Sequence, residues 1–438
     1  MRWIDIPLTG PDIRPEWESL LDEASACANE MPELQKSAGL DSPLIVRRMA
    51  EVGQMLFHAI TQTDPGGFRP RREHEGGVTP HVGVTEADYV TGYHIIAPPQ
   101  YVGLPWTWLH NGLTFLLEQY TICSSTNGSR LPAAPDVTPW MTRLREANLT
   151  QQIRGERPLR STLLRLRPEM CDDPEILFVP GHCEDEIRRL IYREADGIKR
   201  ALAASSLGRP LARLSVLTEA VTPALLTRRS SMYQGLHFAG PTAQRRDQAQ
   251  GEEAAWLVEL VETVNRESSE TAENDIPVDL ELEVVGVDPI TALLDHVTAK
   301  AELGGGPNVP PLESRHTTTT LERAPWWLDD GPIQPEELGE SGGMPPLVFS
   351  NSYRSLPELG HRFLAAGGAA FIGPHVPLYS RPARKFAGRF YNFLADGHCV
   401  ATALRTAALA CRSEFGAEHP VWLSYGVAGY GSLALQYL

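Results

Sequence analysis

Side chains that could supply a nucleophile and a base follow two short apolar runs in the second half of the chain. His182 and Cys183 come after the run 175–180, so a thiol stands directly beside an imidazole. Ser352 comes after the run 347–350. A thiol or a hydroxyl attacks a carbonyl group when a neighbouring base takes up its proton. These residue types are therefore compatible with nucleophilic attack on a carbonyl group.

The runs that carry these residues are typical of strands that alternate with helices. This alternation predicts parallel strands joined by right-handed crossovers, in an open α/β sheet that is mostly parallel and has helices on both faces. The expected strands are 175–180, 214–217, 233–238, 347–350, 369–372 and a last one near 421–425. The expected helices are 184–204, 223–229, 357–366 and one that runs through Arg412.

The remaining segments define three expected regions. Residues 1–95 predict a helical N-terminal region, with helix-like spacing of apolar residues over 45–60. Residues 96–170 predict a hairpin and connecting region, because Asn111 and Gly112 join two apolar runs. Residues 171–438 hold the α/β core with an insertion at 242–324. The insertion is either a solvated loop or a partner-binding flap.

Composition and charge narrow the class of protein. The chain has 438 residues and a net charge of −16, which opposes binding to nucleic acid or to an acidic membrane surface. It contains no apolar stretch long enough to span a membrane and no HExxH zinc motif. Its six cysteines form no CxxC pair and favour a reducing compartment. We expect a cytoplasmic protein without a metal or a cofactor.

Several segments match the sequence motifs of one protein family, in the same order along the chain. Residues 235–241 read GLHFAGP, against a family pattern LHFAGHG, and residues 346–353 read PLVFSNSY, against PLVFLSAC. Weaker matches are at 104–112, 330–338, 363–369, 390–397 and 400–408. The chain thus resembles CHAT-domain proteins, the bacterial caspase-like branch of the cysteine peptidases. The resemblance implies a caspase-like form of the open sheet.

The resemblance also implies where a catalytic dyad would stand. The family's catalytic histidine is the second histidine of the first pattern, directly after HFAG, and its nucleophilic cysteine ends the second pattern. Here these positions hold Pro241 and Tyr353. Proline has no titratable group, and a phenol with an ordinary pKa of about 10 does not replace a thiolate near neutral pH. The sequence therefore predicts a degenerate dyad whose two positions lie at the same edge of the sheet.

Other residues could neighbour the same cleft, and each has a structural alternative. Ser352 could act as a nucleophile or form a turn, and His237 matches a non-catalytic histidine of the family pattern. His182 and Cys183 could form a displaced nucleophile and base, although adjacent side chains usually point apart. His375 follows the strand 369–372 and is a loop residue near this edge.

Tyr353 and Arg354 also admit two interpretations. An aromatic ring and a guanidinium at the floor of a surviving groove could contact a bound peptide. Alternatively, the ring fills the pocket that the nucleophile has vacated.

The sequence therefore predicts a caspase-like protein that has lost its dyad and acts as a binding or regulatory partner. The partner would be a protein such as an active peptidase, a sensor or a substrate protein, and the resemblance suggests bacterial defence or signalling. Two alternatives remain open. One is an active peptidase that uses Ser352 or a displaced Cys183. The other is a scaffold that docks a partner through the insertion 242–324. The sequence does not determine the oligomeric state.

Overall fold

The computed structural model describes most of the chain outside three long segments. The described residues are 2–8, 15–38, 43–63, 90–126, 175–182, 185–203, 212–218, 220–230, 233–240, 326–340, 344–352, 354–376, 380–431 and 433. The insertion predicted at 242–324 lies outside them. Contacts divide the chain into one unit of Met1–Thr242, Arg323–Leu378 and Pro382–Leu438, and a second of Ala243–Glu322 and Tyr379–Arg381. All described residues except Ser380 and Arg381 belong to the first unit.

The described residues form eleven strands and nine α-helices. The strands are β1 Arg2–Pro7, β2 Val90–Ala97, β3 Thr121–Thr126, β4 Glu175–Pro180, β5 Arg213–Val216, β6 Gly235–Ala239, β7 Trp326–Leu328, β8 Gly331–Ile333, β9 Leu347–Asn351, β10 Ala370–Pro374 and β11 Tyr425–Gly429. The helices are α1 Pro15–Ala38, α2 Pro43–Thr63, α3 Pro99–Val102, α4 Asp185–Ala203, α5 Pro223–Ser230, α6 Pro335–Glu340, α7 Ser355–Ala365, α8 Ser380–Ala395 and α9 Val400–Phe415.

Nine of the described strands form one sheet in the order β1-β2-β3-β11-β10-β9-β6-β4-β5. Strands β1, β2, β3 and β11 are parallel to one another, and so are β10, β9, β6, β4 and β5. The two blocks meet at β10 and β11, which are antiparallel. The predicted open, mostly parallel α/β sheet is therefore confirmed. Its antiparallel junction was not predicted.

Helices cover both faces of the five-stranded block, and two adjacent residues of β6 show this. His237 contacts Glu194 of α4 and Tyr391 of α8. Phe238 stacks on Trp326 of the small β7–β8 hairpin, and Trp326 in turn packs against α7. Consecutive side chains of a strand point to opposite faces. Helices α4 and α8 therefore lie on one face, and α7 and the hairpin lie on the other.

The chain reverses its direction of travel across the sheet between β4 and β6. It moves from β4 outward to β5 and then returns to β6, which pairs with the other side of β4. In open α/β sheets, ligands bind outside the carboxyl ends of the strands at such a switch point. A ligand-binding site is therefore expected at the carboxyl ends of β4 and β6 and of the adjacent β9.

Three predicted elements were wrong in detail. The last strand is Tyr425–Gly429 rather than 421–425, because Pro420 begins a 3-10 turn in which His419 accepts from the Val421 N–H at 3.1 Å. The single helix expected before it is two helices, since α8 ends at Ala395 and Gly397 has a positive φ of 85°.

The hairpin predicted around Asn111 and Gly112 is shorter than expected. Its apolar arms form 3-10 turns at Trp106–Trp108 and Leu116–Glu118, and only an isolated bridge between His110 and Phe115 pairs them. In the N-terminal region, the structure has the expected helices α1 and α2. It also has strands β1 and β2, which join the main sheet and which the sequence pattern did not indicate.

Candidate functional site

The candidate site is the edge of the sheet where β4, β6 and β9 end. The pairing of β6 with β9 runs to Ala239 opposite Asn351, and the pairing of β4 with β6 runs to Pro180 opposite Ala239. Just beyond these pairs the backbones of β4 and β6 come very close. A Cβ on Gly240 would lie only 2.6 Å from the Gly181 Cα, so this crossing requires glycine.

Three candidate residues from the sequence lie outside the described residues. Pro241 and Tyr353 each follow the pair Ala239–Asn351 by two positions, and Cys183 follows His182. The expectation that Pro241 and Tyr353 share one cleft therefore stays a prediction. The candidates that the structure describes are His237, Ser352, Arg354, His182 and His375.

His237 lies inside the sheet and is fully buried. Its ring is stacked between Phe178 and Phe349, with ring centroids 5.0 and 4.8 Å away. Its Nε2 is 2.7 Å from Glu194 Oε1, and its Nδ1 is 3.2 Å from the Tyr391 hydroxyl. Because both ring nitrogens are occupied below the surface, His237 is not available as a base at the edge of the sheet. It is a hydrogen-bonded histidine inside its strand, and its expected place beside the cleft stays a prediction.

The buried contacts of His237 continue to the end of β9. Glu194 Oε1 also accepts a hydrogen bond from the Asn351 amide at 2.8 Å, and the Tyr425 hydroxyl donates to Asn351 Oδ1 at 2.5 Å. Burial, with the nearby Glu194 carboxylate, raises the pKa of Tyr391 and of Tyr425 well above the ordinary value. We call Glu194, His237, Tyr391, Asn351 and Tyr425 the interior network.

Ser352 lies on the opposite face from Asn351 and is only 3% exposed. Its hydroxyl is 2.7 Å from the Ser350 hydroxyl, which accepts from the Trp326 indole at 3.0 Å. Neither serine contacts a basic side chain among the described residues. A serine hydroxyl is a weak nucleophile without an adjacent base. The described contacts of Ser352 are therefore those of a buried structural hydroxyl.

His182 has a different environment, because its side chain is 42% exposed. Its backbone N–H is bound by the Trp327 carbonyl at 2.9 Å, and its Nδ1 is 3.1 Å from Asp329 Oδ1. Arg188 also donates to Asp329 Oδ1 at 2.7 Å, and the Val221 N–H donates to Oδ2 at 2.8 Å. This arrangement holds an imidazole at the end of β4, beside the switch point of the sheet.

The charge of Asp329 is favoured by these contacts. Burial alone would raise the pKa of its carboxyl group. The hydrogen bonds from Val221 and His182 and the positive charge of Arg188 outweigh burial and lower the pKa below its ordinary value. In a neutral imidazole only one ring nitrogen carries a proton. When the Nδ1–H of His182 donates to Asp329, Nε2 is therefore the nitrogen that can accept a proton. The pair can therefore orient a base toward solvent.

Arg354 follows the nucleophile position and is the N-cap residue directly before α7. It has φ 46° and ψ 32°, and it is the one non-glycine residue with positive φ in the described part of the chain. Its charge acts on two neighbours. Burial raises the pKa of Glu358 to about 7, and Arg354 opposes that shift. Burial, with a further contribution from Arg354, lowers the pKa of His375 to about 3. His375 is thus neutral and packs edge-on against Trp108.

Two of the described thiols, Cys27 and Cys411, are buried and poorly suited to act as nucleophiles. Burial raises the pKa of Cys27 and of Cys411 to about 12, so neither is a thiolate near neutral pH. Within the described ranges, no group of three or more His, Cys, Asp or Glu side chains could hold a metal ion. No helix there is long and apolar enough to cross a membrane.

The residues that organise the edge were mostly missed in the sequence. Asp329 directly precedes the segment 330–338 that matched the family pattern, but the carboxylate itself carried no signal. Glu194 lies in a helix whose charged residues read as solvent-facing, and Asn351 reads as the end of a strand. Only contacts between distant parts of the chain reveal their roles.

Similarity to known proteins is found among solved structures and not among family models or curated proteins. No family model matches the chain, and no curated protein matches it. Among solved structures, the chain is similar to the Arg-specific cysteine proteinase gingipain R (RGPB), with 10% sequence identity and a TM-score of 0.42. The match covers 100% of this chain and 78% of that one. A similarity at this level carries no argument about family or activity.

Proposed function

We propose that this protein is a caspase-like domain that has lost its peptidase dyad and acts by binding an extended segment of a partner protein at the carboxyl edge of β4, β6 and β9. The observation that carries the proposal is the state of the two dyad strands. The hydroxyl of Ser352, directly after β9, is buried against Ser350. The imidazole of His237 on β6 is enclosed by Glu194 and Tyr391.

The sequence supports the same conclusion. Pro241 and Tyr353 stand at the positions where CHAT-domain proteins carry their histidine and cysteine. The open sheet has its switch point at this edge, and ligands of open α/β sheets bind at such edges. The CHAT resemblance further suggests a cytoplasmic role in bacterial defence or signalling. In that setting, the partner would be an active peptidase, a sensor or a substrate protein.

A combined binding and cleavage experiment tests this proposal. The purified full chain is panned against a random-sequence dodecapeptide library, and the selected peptides are then incubated with the protein and analysed by mass spectrometry. We expect selected peptides to bind saturably and to remain intact. Cleavage that disappears in Ser352→Ala or Cys183→Ala would overturn the proposal, and so would a failure to select any binder. Deleting 243–322 separates edge binding, which should survive, from a scaffold that binds through the insertion.

A second function is favoured by the environment of His182. Its imidazole is half exposed and is oriented by Asp329, and Cys183 is the next residue in the chain. The alternative is a thiol hydrolase in which His182 takes the proton of Cys183. It predicts that iodoacetamide labels Cys183 faster than an ordinary thiol at pH 6 and that Asp329→Asn slows this labelling about tenfold or more. The binding function predicts no such dependence.

A further inference from the structure

Asn351 occupies a distinctive place at the proposed binding edge. It is the last residue of β9 and lies opposite Ala239, the last residue of β6. The start of β11 reaches the same edge, because Tyr425 pairs with Pro374 at the end of β10. Its strand neighbours Ser350 and Ser352 are buried, whereas Asn351 is only half buried. Asn351 therefore joins the interior of the sheet to its surface.

The orientation of the Asn351 amide follows from its partners. A carboxylate can only accept hydrogen bonds, so the Glu194 Oε1 at 2.8 Å must face the NH₂ group of the amide. The carbonyl oxygen of the amide then faces the Tyr425 hydroxyl, which donates to it at 2.5 Å. The interior network therefore fixes both the position of the amide and the way it faces.

This orientation leaves Asn351 with unused hydrogen-bonding capacity. An asparagine amide offers two N–H donors and two acceptor lone pairs. Glu194 uses one donor and Tyr425 uses one lone pair, and the other described residues use neither of the remaining two. A peptide group presents one carbonyl acceptor and one N–H donor. The remaining N–H of Asn351 can donate to the peptide carbonyl, and the remaining lone pair of its Oδ1 can accept from the peptide N–H.

Burying the polar groups of the interior network costs folding free energy. This cost suggests that the Asn351 amide, which the network holds in place, has a function. Glu194 is 5% exposed and His237 is fully buried, and polar groups in such positions destabilise the fold unless every partner is satisfied. We propose that the network presents Asn351 as a binding residue for the backbone of an extended peptide, donating to one carbonyl and accepting from one N–H. This assignment rests on the proposed function and names the part of the ligand that is recognised.

Backbone methylation of a bound peptide tests the assignment directly. The probe is the tightest dodecapeptide selected from the random-sequence library, together with analogues that carry a single N-methyl group at each peptide bond in turn. We expect one position at which methylation weakens binding to the wild-type protein about tenfold, as for a loss of about 1.4 kcal/mol. In Asn351→Ala, methylation at that position should change the affinity less than twofold.

Two further variants keep the test decisive. Tyr425→Phe leaves the amide in place but removes one of its anchors, so it should reduce the methylation penalty to an intermediate value even if Asn351→Ala does not fold. Asp196→Asn, an exposed change on α4, should leave the tenfold penalty intact. Equal penalties in wild type, Asn351→Ala and Tyr425→Phe would overturn the role of Asn351 while leaving peptide binding established. Failure of the library to yield any binder would instead overturn the proposed function, and this assignment with it.

Discussion

The part of the chain that the structure describes contains two pairs of a histidine and a carboxylate, and their surroundings differ. His237 and Glu194 lie inside the sheet, where their side chains are 0% and 6% exposed. His182 and Asp329 lie at the edge, where the corresponding values are 42% and 16%. Each imidazole is within hydrogen-bonding distance of one carboxylate oxygen. Burial alone therefore separates a pair that holds the fold together from a pair that can meet a ligand.

The second partners of the two imidazoles reinforce this difference. His237 has its other nitrogen against the Tyr391 hydroxyl, so the ring has no group left to offer. Asp329 Oδ1, which contacts His182, also accepts from Arg188, and Oδ2 accepts from the Val221 N–H. These contacts favour the charged carboxylate, while the ring that it orients remains half exposed. A histidine that matches a family pattern therefore does not indicate a function until the burial of its side chain is known.

The largest expected effect comes from removing the buried carboxylate. Glu194→Ala leaves His237 and the Asn351 amide without their shared acceptor, and breaking a buried pair in this way costs about 3 to 5 kcal/mol. Urea unfolding followed by circular dichroism measures the change. Asp196→Ala, an exposed change on the same helix, should stay within about 0.5 kcal/mol of wild type. Equal losses in the two variants would contradict the structural role of the interior pair.

Removing one hydroxyl from the interior network should have a smaller effect. Tyr391→Phe keeps the ring and its packing but leaves His237 Nδ1 without a partner in a fully buried position. We expect a loss of about 1 to 3 kcal/mol in the free energy of unfolding. Differential scanning calorimetry at pH 7 is a suitable measurement. A melting temperature equal to that of wild type would show that water replaces the hydroxyl.

The edge pair should contribute less, and only while its carboxylate is charged. Asp329→Asn weakens the contacts with Arg188 and His182, and we expect a loss of about 1 to 2 kcal/mol at pH 7. Because the pKa of Asp329 is lowered in the fold, its contribution is present above the ordinary value of 3.8 and is lost as the pH falls further. Urea unfolding at pH 7 and at pH 3 should show the two proteins converging at the lower pH. A difference independent of pH would contradict the charged pair.

Glu358 provides a carboxyl group that contacts no histidine among the described residues. Its pKa is raised from 4.5 to about 7, so the fold favours the protonated form, and this contribution is lost as the pH rises from about 4.5 to about 7. Glu358→Gln should therefore stabilise the protein by about 1 kcal/mol at pH 8 and by little at pH 4.5. Thermal unfolding at both pH values, with the exposed Glu340→Gln as the control, measures it. Equal gains at the two pH values would contradict the raised pKa.

The sequence predicted the five-stranded block well because its strands are short apolar runs that alternate with helices. It failed where packing demands residues that do not look like a strand. In β11, Gly426 lies against His375, and a Cβ there would come within 2.5 Å of His375 Nε2. The glycines of β11 therefore read as a loop. In β1, Arg2 and Asp5 interrupt the apolar pattern, although the strand pairs along its whole length with β2.

The candidate site was less predictable than the fold. The sequence pointed to the edge where the parallel strands end and named His182 and Ser352 there, and this site stays a prediction. It could not show that Asp329, far along the chain, would orient His182, or that Glu194 would anchor Asn351. Such partners depend on contacts between distant segments, and a charged residue on a helix usually faces solvent.

The position of strand β11 affects how the protein folds during its synthesis on the ribosome. It lies between β3 and β10, and it is the described strand that joins the two blocks of the sheet. Residues 425–429 are translated after every other described strand, so the two blocks remain separate until β11 has been made. Until then β3 and β10 each have an open edge, and unpaired edges invite pairing with other chains. Nascent chains of this protein should therefore depend on chaperones until β11 closes the sheet.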